Sequence, residues 1–578
     1  MTKFVKYYFI FGTFLLSFPF LLSLNLPFAY WDWLMVPHYQ LQGDAVTLGK
    51  VPQNLFFSLF ADKVQFRPIA TFLTNLQYIA FKGEFWAWYL TRWAIFGLTV
   101  YFIYKIVLEL TGDRKPALLS AVFFMIHPMP VVTDVLSQDA YVAFFASLAT
   151  FYLVRVQHSS KERNIFKIDG LTWGQYSILL LLFACASFAK EIAIAFALPF
   201  IGLLLVNNRR PFFAIAIART FPFIVLSSFS IFRILGVNHP TSRLNNSDSL
   251  DWRALHWGIN RTIKILVPTS TFYLLSIILA LILVGGVVLC FKRKKYLAFF
   301  FLYGSSLCLS IIIIALTYPC PKYLPTPVLS LAMLIGLAGA EVFDCIPKIS
   351  IIVVFLFCFS YPAFTLPNIY SQWFAMQQSL YEMSDIVQFM YQKQAEGYAL
   401  AFTGITQGGD LPWEKGATFD EFFENAAGRL YETTTAKFFI LSQGELPSRP
   451  FVMLTSFAPN EIKKGKLSEI GIRSLAGLTS VYQFERKDFG FFAKATASLK
   501  QFEQFISNKH PPTIDCASPA PSTFGNHIAN PYFSEINRLT AGPHLLYLVD
   551  PSKFDSPPPP ELNISFLTPN RKFGAFGR

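Results

Sequence analysis

Ionisable side chains in the first two-thirds of this chain sit where hydrophobic runs begin and end, and their types suit acid–base and anion-binding chemistry. Asp32 stands between Trp31 and Trp33, Arg67 precedes Pro68, and His127 precedes Pro128. Asp139 follows Gln138, Lys190 and Glu191 are adjacent between two apolar runs, and Lys322 is followed by Tyr323. Carboxylates such as Asp32, Asp139 and Glu191 can take a proton or orient hydroxyl groups, given hydrogen-bond reach. Arg67, Lys190 and Lys322 can hold an anion, Arg67 with the bidentate geometry that suits a phosphate. A charge at membrane depth costs about 2.5 kcal/mol or more at the centre, so each such residue is a functional candidate by default.

Each also has a structural reading. Lys190 and Glu191 form either an ion pair of a hairpin turn or part of a site, and His127 suits a satisfied histidine beside a proline. Asp134 and Asp139 suit a turn and a helix start, where a carboxylate is favoured. Asp44 and the Asp62–Lys63 pair read as surface charges. Asp32 has no obvious structural role, because an interface already suits its two tryptophans without a carboxylate between them.

Long apolar runs must position these residues. The 578 residues are 53% hydrophobic, include 64 Phe and only 14% charged residues, and have a mean hydropathy of +0.43. A soluble chain carries roughly 25% charge, so the composition predicts a polytopic α-helical membrane protein. Runs of ~18 apolar residues or more mark candidate spans. They fall near 5–27, 86–108, 116–133, 139–156, 173–189, 191–207, 212–235, 266–291, 296–318, 324–344 and 349–367, which predicts about eleven transmembrane helices. The first run is long for a cleaved signal and reads as an anchor.

Basic residues orient the spans. With the N-terminus inside, Arg114, Lys115, Arg155, Lys161, Arg163, Lys167, Arg209, Arg210, Lys292 to Lys295 and Lys348 all fall on the cytoplasmic side. The net charge of +13 is then topogenic, and no nucleic acid is expected as a partner. Loop 28–85, the candidate residues and the C-terminal region share the outer face. The stretch Ile69 to Phe81 is amphipathic enough to lie along the membrane surface. The seven cysteines fall mostly in apolar runs and lack the paired spacings of a disulfide or zinc framework.

Residues 1–367 therefore read as the membrane domain. From 368 to 510, apolar runs shorten to strand length at 398–403, 437–441, 451–455, 481–484 and 489–492, with helical patterns at 369–395, 419–431 and 497–508. A small extracytoplasmic α+β domain is predicted. Residues 511–578, with Pro557 to Pro560, read as a Pro-rich, partly disordered tail.

The order of the outer motifs resembles that of polyprenyl-phosphate-dependent glycosyltransferases of the GT-C fold, most closely protein O-mannosyltransferases and their bacterial relatives. The likeness rests on Phe28-Ala-Tyr-Trp-Asp32 in the first outer loop, Phe66-Arg67-Pro68 before a surface helix and Ile126-His127-Pro128. It continues through Gln138-Asp139, Ala189-Lys190-Glu191 and Lys322-Tyr323-Leu-Pro325, and covers roughly residues 5–340. The sequence departs from the family where Trp33 replaces a second acid and where Arg92 stands in span 2. The resemblance implies a GT-C-like membrane domain that moves a sugar from a polyprenyl-phosphate donor to a protein, lipid or glycan acceptor. It implies Asp32 and Glu191 as catalytic residues, with Arg67, His127, Asp139, Lys190, Lys322 and Tyr323 binding the substrate or its phosphate. Trp86, Trp88 and Trp93 would wall the sugar site, and a divalent metal is compatible with this set. A bacterial inner membrane is the expected setting. The alternative class is a transporter or flippase for a lipid-linked or small polar substrate, which calls for inverted repeats and interrupted helices. A protein active through its C-terminal domain ranks lowest, since that domain shows no P-loop, no G-x-S-x-G and no nucleophile–base spacing.

Overall fold

Apolar helices and one small sheet make up the structure, a computed structural model. It describes residues 67–81, 85–127, 138–159, 166–168, 171–207, 219–228, 252–266, 273–317, 323–348, 350–358, 389–390, 392–403, 438–441, 446–455, 472, 478–483 and 545–553. Asp32, Asp134, Lys322, the span expected at 5–27, most of loop 28–85, the run at 489–492 and the helical patterns at 419–431 and 497–508 lie outside the described residues.

Ten helices of 13 residues or more are described. They are α1 Pro68–Phe81, α2 Phe85–Thr111, α3 Arg114–Ile126, α4 Gln138–Ser159 and α5 Trp173–Ala189. Then come α6 Ile194–Asn207, α7 Trp252–Leu266, α8 Tyr273–Arg293, α9 Leu297–Thr317 and α10 Pro325–Cys345. Among the described residues, four helices are long and apolar enough to cross a membrane, and they lie within α2, α4, α9 and α10. Local signals set the ends. Asp113 caps α3 by accepting from the Lys115 amide, and Thr172 and Gln175 form a capping box at α5. Pro325 starts α10, at the position where a missing N–H is harmless.

α10 is the hub. It packs against α3, α8 and α9, and less extensively against α2 and α4. Every residue from Pro325 to Glu341 is buried, as expected for a helix with packing partners all round. Small residues bring its neighbours close. A Cβ added to Gly286 of α8 would lie 2.4 Å from the Ala338 Cα, so the two backbones touch there. Ser120 of α3 donates to the Ala332 carbonyl at 2.6 Å.

α7 corrects the expected boundary of the eighth span, which the apolar run placed at 266–291. Leu266 ends α7, and the next helix begins at Tyr273. α7 is amphipathic: Gly258, Thr262 and Leu266 are buried, whereas His256, Asn260 and Ile263 are exposed. Its buried side lies on α9, with Gly258 so close to the Ala315 carbonyl oxygen that an added Cβ would be 2.6 Å away.

Five strands form the sheet: β1 Ala399–Thr403, β2 Phe438–Ile440, β3 Phe451–Thr455, β4 Leu478–Gln483 and β5 Leu545–Val549. Their order is β2-β1-β3-β5-β4. β1 runs parallel to β2 and β3, and β5 runs antiparallel to β3 and β4. Leu400, Ala401, Val452 and Met453 are all buried, so both faces of the central strands are covered. The sheet draws β5 from within residues 511–578, which read as a tail. Five successive residues of strand length, Leu-Leu-Tyr-Leu-Val, pair with β3 there.

Candidate functional site

Two ion pairs meet where α1, α4, α5 and α10 begin or end. Arg67, just before α1, donates to the Glu191 carboxylate from Nε at 3.0 and 3.1 Å and from Nη2 at 2.8 Å. Its Nη1 donates to the Gln138 side-chain oxygen at the start of α4. This fork uses the planar guanidinium on both flanks, which a lysine could not copy. Only 19% of the Arg67 side chain and 18% of the Glu191 side chain remain exposed. Burial by itself pulls the Arg67 pKa down. The Glu191 charge and hydrogen bonds, with Tyr323 and Asp139, outweigh it and raise the value above that of an ordinary arginine.

The second pair joins Lys190 to Asp139 Oδ2. Lys190 also lies over the Tyr323 ring, with its ammonium 4.0 Å from the ring centroid, a cation–π arrangement. Asp139 is 1% exposed, and its other oxygen, Oδ1, has no hydrogen-bond partner among the described residues. A buried carboxylate oxygen in that state is a vacant acceptor, because most buried polar atoms are satisfied.

Backbone conformation explains why neighbouring charges part company. α5 ends at Lys190, whose φ of −164° and ψ of 156° are extended, before a short 3₁₀ turn at Glu191–Ala193. Successive side chains of an extended segment point to opposite sides. Lys190 therefore reaches α4, and Glu191 reaches Arg67. The ion pair between the two neighbours, one of the two sequence readings, is replaced by two pairs to distant segments.

Arg67, Asp139, Lys190, Glu191 and Tyr323 are thus brought together, with Gln138 as a sixth member that the sequence did not single out. Its signal was its place beside Asp139. The hydrogen bond described for His127 goes to a different segment. His127 caps α3, and its Nε2 lies 2.7 Å from the Leu266 carbonyl oxygen at the end of α7. Asp32 and Lys322 lie outside the described residues. Trp88 is fully buried in the bundle and offers no surface to a sugar, which removes it from the expected wall. Arg92 is buried in α2, 6.0 Å from the Tyr141 ring centroid, while the Tyr141 hydroxyl accepts from Gln77 of α1.

Charges at the opposite ends of these helices form a separate group. Arg155 of α4 meets Glu109 of α2 at 3.3 Å, and Arg293 of α8 meets Glu341 of α10 at 3.3 Å. Asp139 and Arg155 lie toward opposite ends of the single helix α4, so the two groups are separated by most of its length. Among the described residues, no group of three His, Cys, Asp or Glu side chains is placed to hold a metal ion. Compared with known protein families and with curated proteins, the chain matches none.

Proposed function

We propose that this chain is an integral membrane glycosyltransferase that moves a sugar from a polyprenyl-phosphate donor to an acceptor hydroxyl on the extracytoplasmic face. The paired cluster Arg67–Glu191 and Lys190–Asp139 would be the part of its site that meets the donor phosphate and sugar. One observation carries the reading: four separate segments deliver two cations, two carboxylates and Tyr323 to one place at the helix ends. Partly buried ion pairs are weak stabilisers, and well-packed apolar residues often serve stability as well or better. A cluster of this kind therefore favours a role in binding.

In this reading the acceptor oxygen attacks the anomeric carbon and the carbon–oxygen bond to the phosphate breaks. Polyprenyl phosphate leaves with the electron pair, and the anomeric configuration inverts. Asp32 takes the acceptor proton. Arg67 keeps Glu191 on one flank of its fork while turning donors to the phosphate. Lys190 adds a point charge as the leaving group gains negative charge, the term expected to matter most. Asp139 Oδ1 accepts a sugar hydroxyl.

The test is transfer of label from a polyprenyl-phosphate sugar in membranes that carry the protein. Wild type should transfer, and Asp32→Asn should lose roughly 10²-fold or more, the range for a general base. Full activity in Asp32→Asn would remove that residue as the base. Label that crosses the bilayer without forming any glycoside would move the assignment to a carrier of lipid-linked substrates.

A further inference from the structure

The end of the bundle away from the ion-pair cluster carries a second arrangement that glycosyl transfer does not use. α8 presents Ile277, Leu281, Val284, Val288 and Phe291 outward, each more than half exposed. Their spacing of four, three, four and three residues places them in a single stripe along the helix. The stripe runs straight into Lys292-Arg293-Lys294-Lys295, all exposed.

Two of these four basic residues are neutralised. Arg293 pairs with Glu341 at 3.3 Å and Asp344 at 3.6 Å, and Lys295 pairs with Asp344 at 3.5 Å. These contacts fix the turn between α8 and α9 against α10. Lys294 and Tyr296 adopt φ of 55° and 53°, a left-handed conformation that non-glycine residues rarely hold without such support. Lys292 and Lys294 make no ion pair or hydrogen bond among the described residues and leave two positive charges uncompensated beside the apolar stripe.

We propose that this face is a binding site for an anionic phospholipid of the bilayer. The headgroup phosphate lies against Lys292 and Lys294, and an acyl chain runs along the Ile277–Phe291 stripe. Charge complementarity selects the occupant. The stripe alone suits any acyl chain, but two unpaired lysines at its end favour a headgroup with net negative charge over a zwitterionic one. Arg293 and Lys295 hold the turn in shape and do not bind the lipid. The site is independent of the proposed transfer chemistry, which lies at the opposite helix ends.

Native mass spectrometry of the purified full chain, equilibrated with equal amounts of phosphatidylglycerol and phosphatidylcholine, tests it. Wild type should retain phosphatidylglycerol in preference, by about thirtyfold, as two lysines near an anionic headgroup imply. Lys292→Ser with Lys294→Ser should abolish the preference, whereas Lys292→Arg with Lys294→Arg should keep it. The wild-type preference should also fall as salt shortens the Debye length from roughly 30 Å to 3 Å, a readout that needs no variant to fold. Equal retention of the two lipids by wild type, or a preference that survives the serine pair or high salt, would overturn the proposal.

Discussion

At the scale of single residues, the balance of charge in the cluster decides what each substitution should do. Among the described residues, Arg67 and Lys190 each pair with one carboxylate, so in the proposed site a donor phosphate would share cations that are already engaged. Arg67→Lys keeps the charge but loses the fork to Glu191 and Gln138. We expect kcat/KM to fall by about tenfold to a hundredfold, from losing charge-assisted contacts worth roughly 1.5–3 kcal/mol. Glu191→Gln frees Arg67 from its ion pair, so donor KM should fall while kcat drops because the guanidinium is no longer oriented. Measured steady-state constants with a polyprenyl-phosphate sugar check both, and unchanged constants in either variant would remove that residue from the site. The candidates were legible in the sequence because ionisable residues stand out against apolar runs. Their partners were not. Lys190 and Glu191 look like a pair until the extended backbone at Lys190 sends them apart, and nothing local links residue 67 to residue 191.

At the scale of elements, helix packing rests on a few close approaches. α8 and α10 touch at Gly286 and Ala338, where no side chain fits. Gly286→Val should lower stability by about 1–3 kcal/mol through overpacking, read as a lower Tm in detergent. Gly97→Ala, at a position with open space, should leave Tm unchanged or slightly raised. A drop at Gly97 as large as that at Gly286 would show that helix packing is not the cause. Most helix positions could be read from apolar runs, because crossing a hydrocarbon layer demands about 20 such residues. α2, α4, α9 and α10 lie within a few residues of those runs. α7 could not be read that way. Its apolar positions are interleaved with Arg253, His256, Asn260 and Lys264, so any average over a long window is diluted. The buried trio Gly258, Thr262 and Leu266 recurs at intervals of four, a periodicity that a helical-face reading would have caught.

At the scale of the whole molecule, two ends are distinguished by their charges. The basic end gathers Arg155, Arg293 and Lys295, and the other end holds the Arg67–Glu191 and Lys190–Asp139 pairs. If basic residues remain in the cytoplasm, Cys345, which is exposed and accepts a hydrogen bond from Arg293, lies on that side. In a variant with Cys345 as its only cysteine, a membrane-impermeant maleimide should label the protein only after permeabilisation. Labelling of intact cells would invert the topology. The strands of the sheet show the limit of local reading at this scale. β1 to β4 fall in or beside predicted runs, but β5 comes from beyond a Pro-containing stretch, and no short-range signal pairs residue 545 with residue 455. In the proposed function the Lys190–Asp139 pair belongs to a transfer site and is not merely structural. Removing one partner leaves a buried charge and should cost about 3–5 kcal/mol of stability, which would confuse loss of function with loss of fold. Asp139→Leu combined with Lys190→Met removes both charges at similar volume. The decisive measurement is the transfer rate of that double variant from a polyprenyl-phosphate sugar, taken alongside its Tm. We expect Tm near that of wild type and transfer reduced roughly 10²-fold or more, as for lost transition-state electrostatics. Transfer close to the wild-type rate would contradict the assignment.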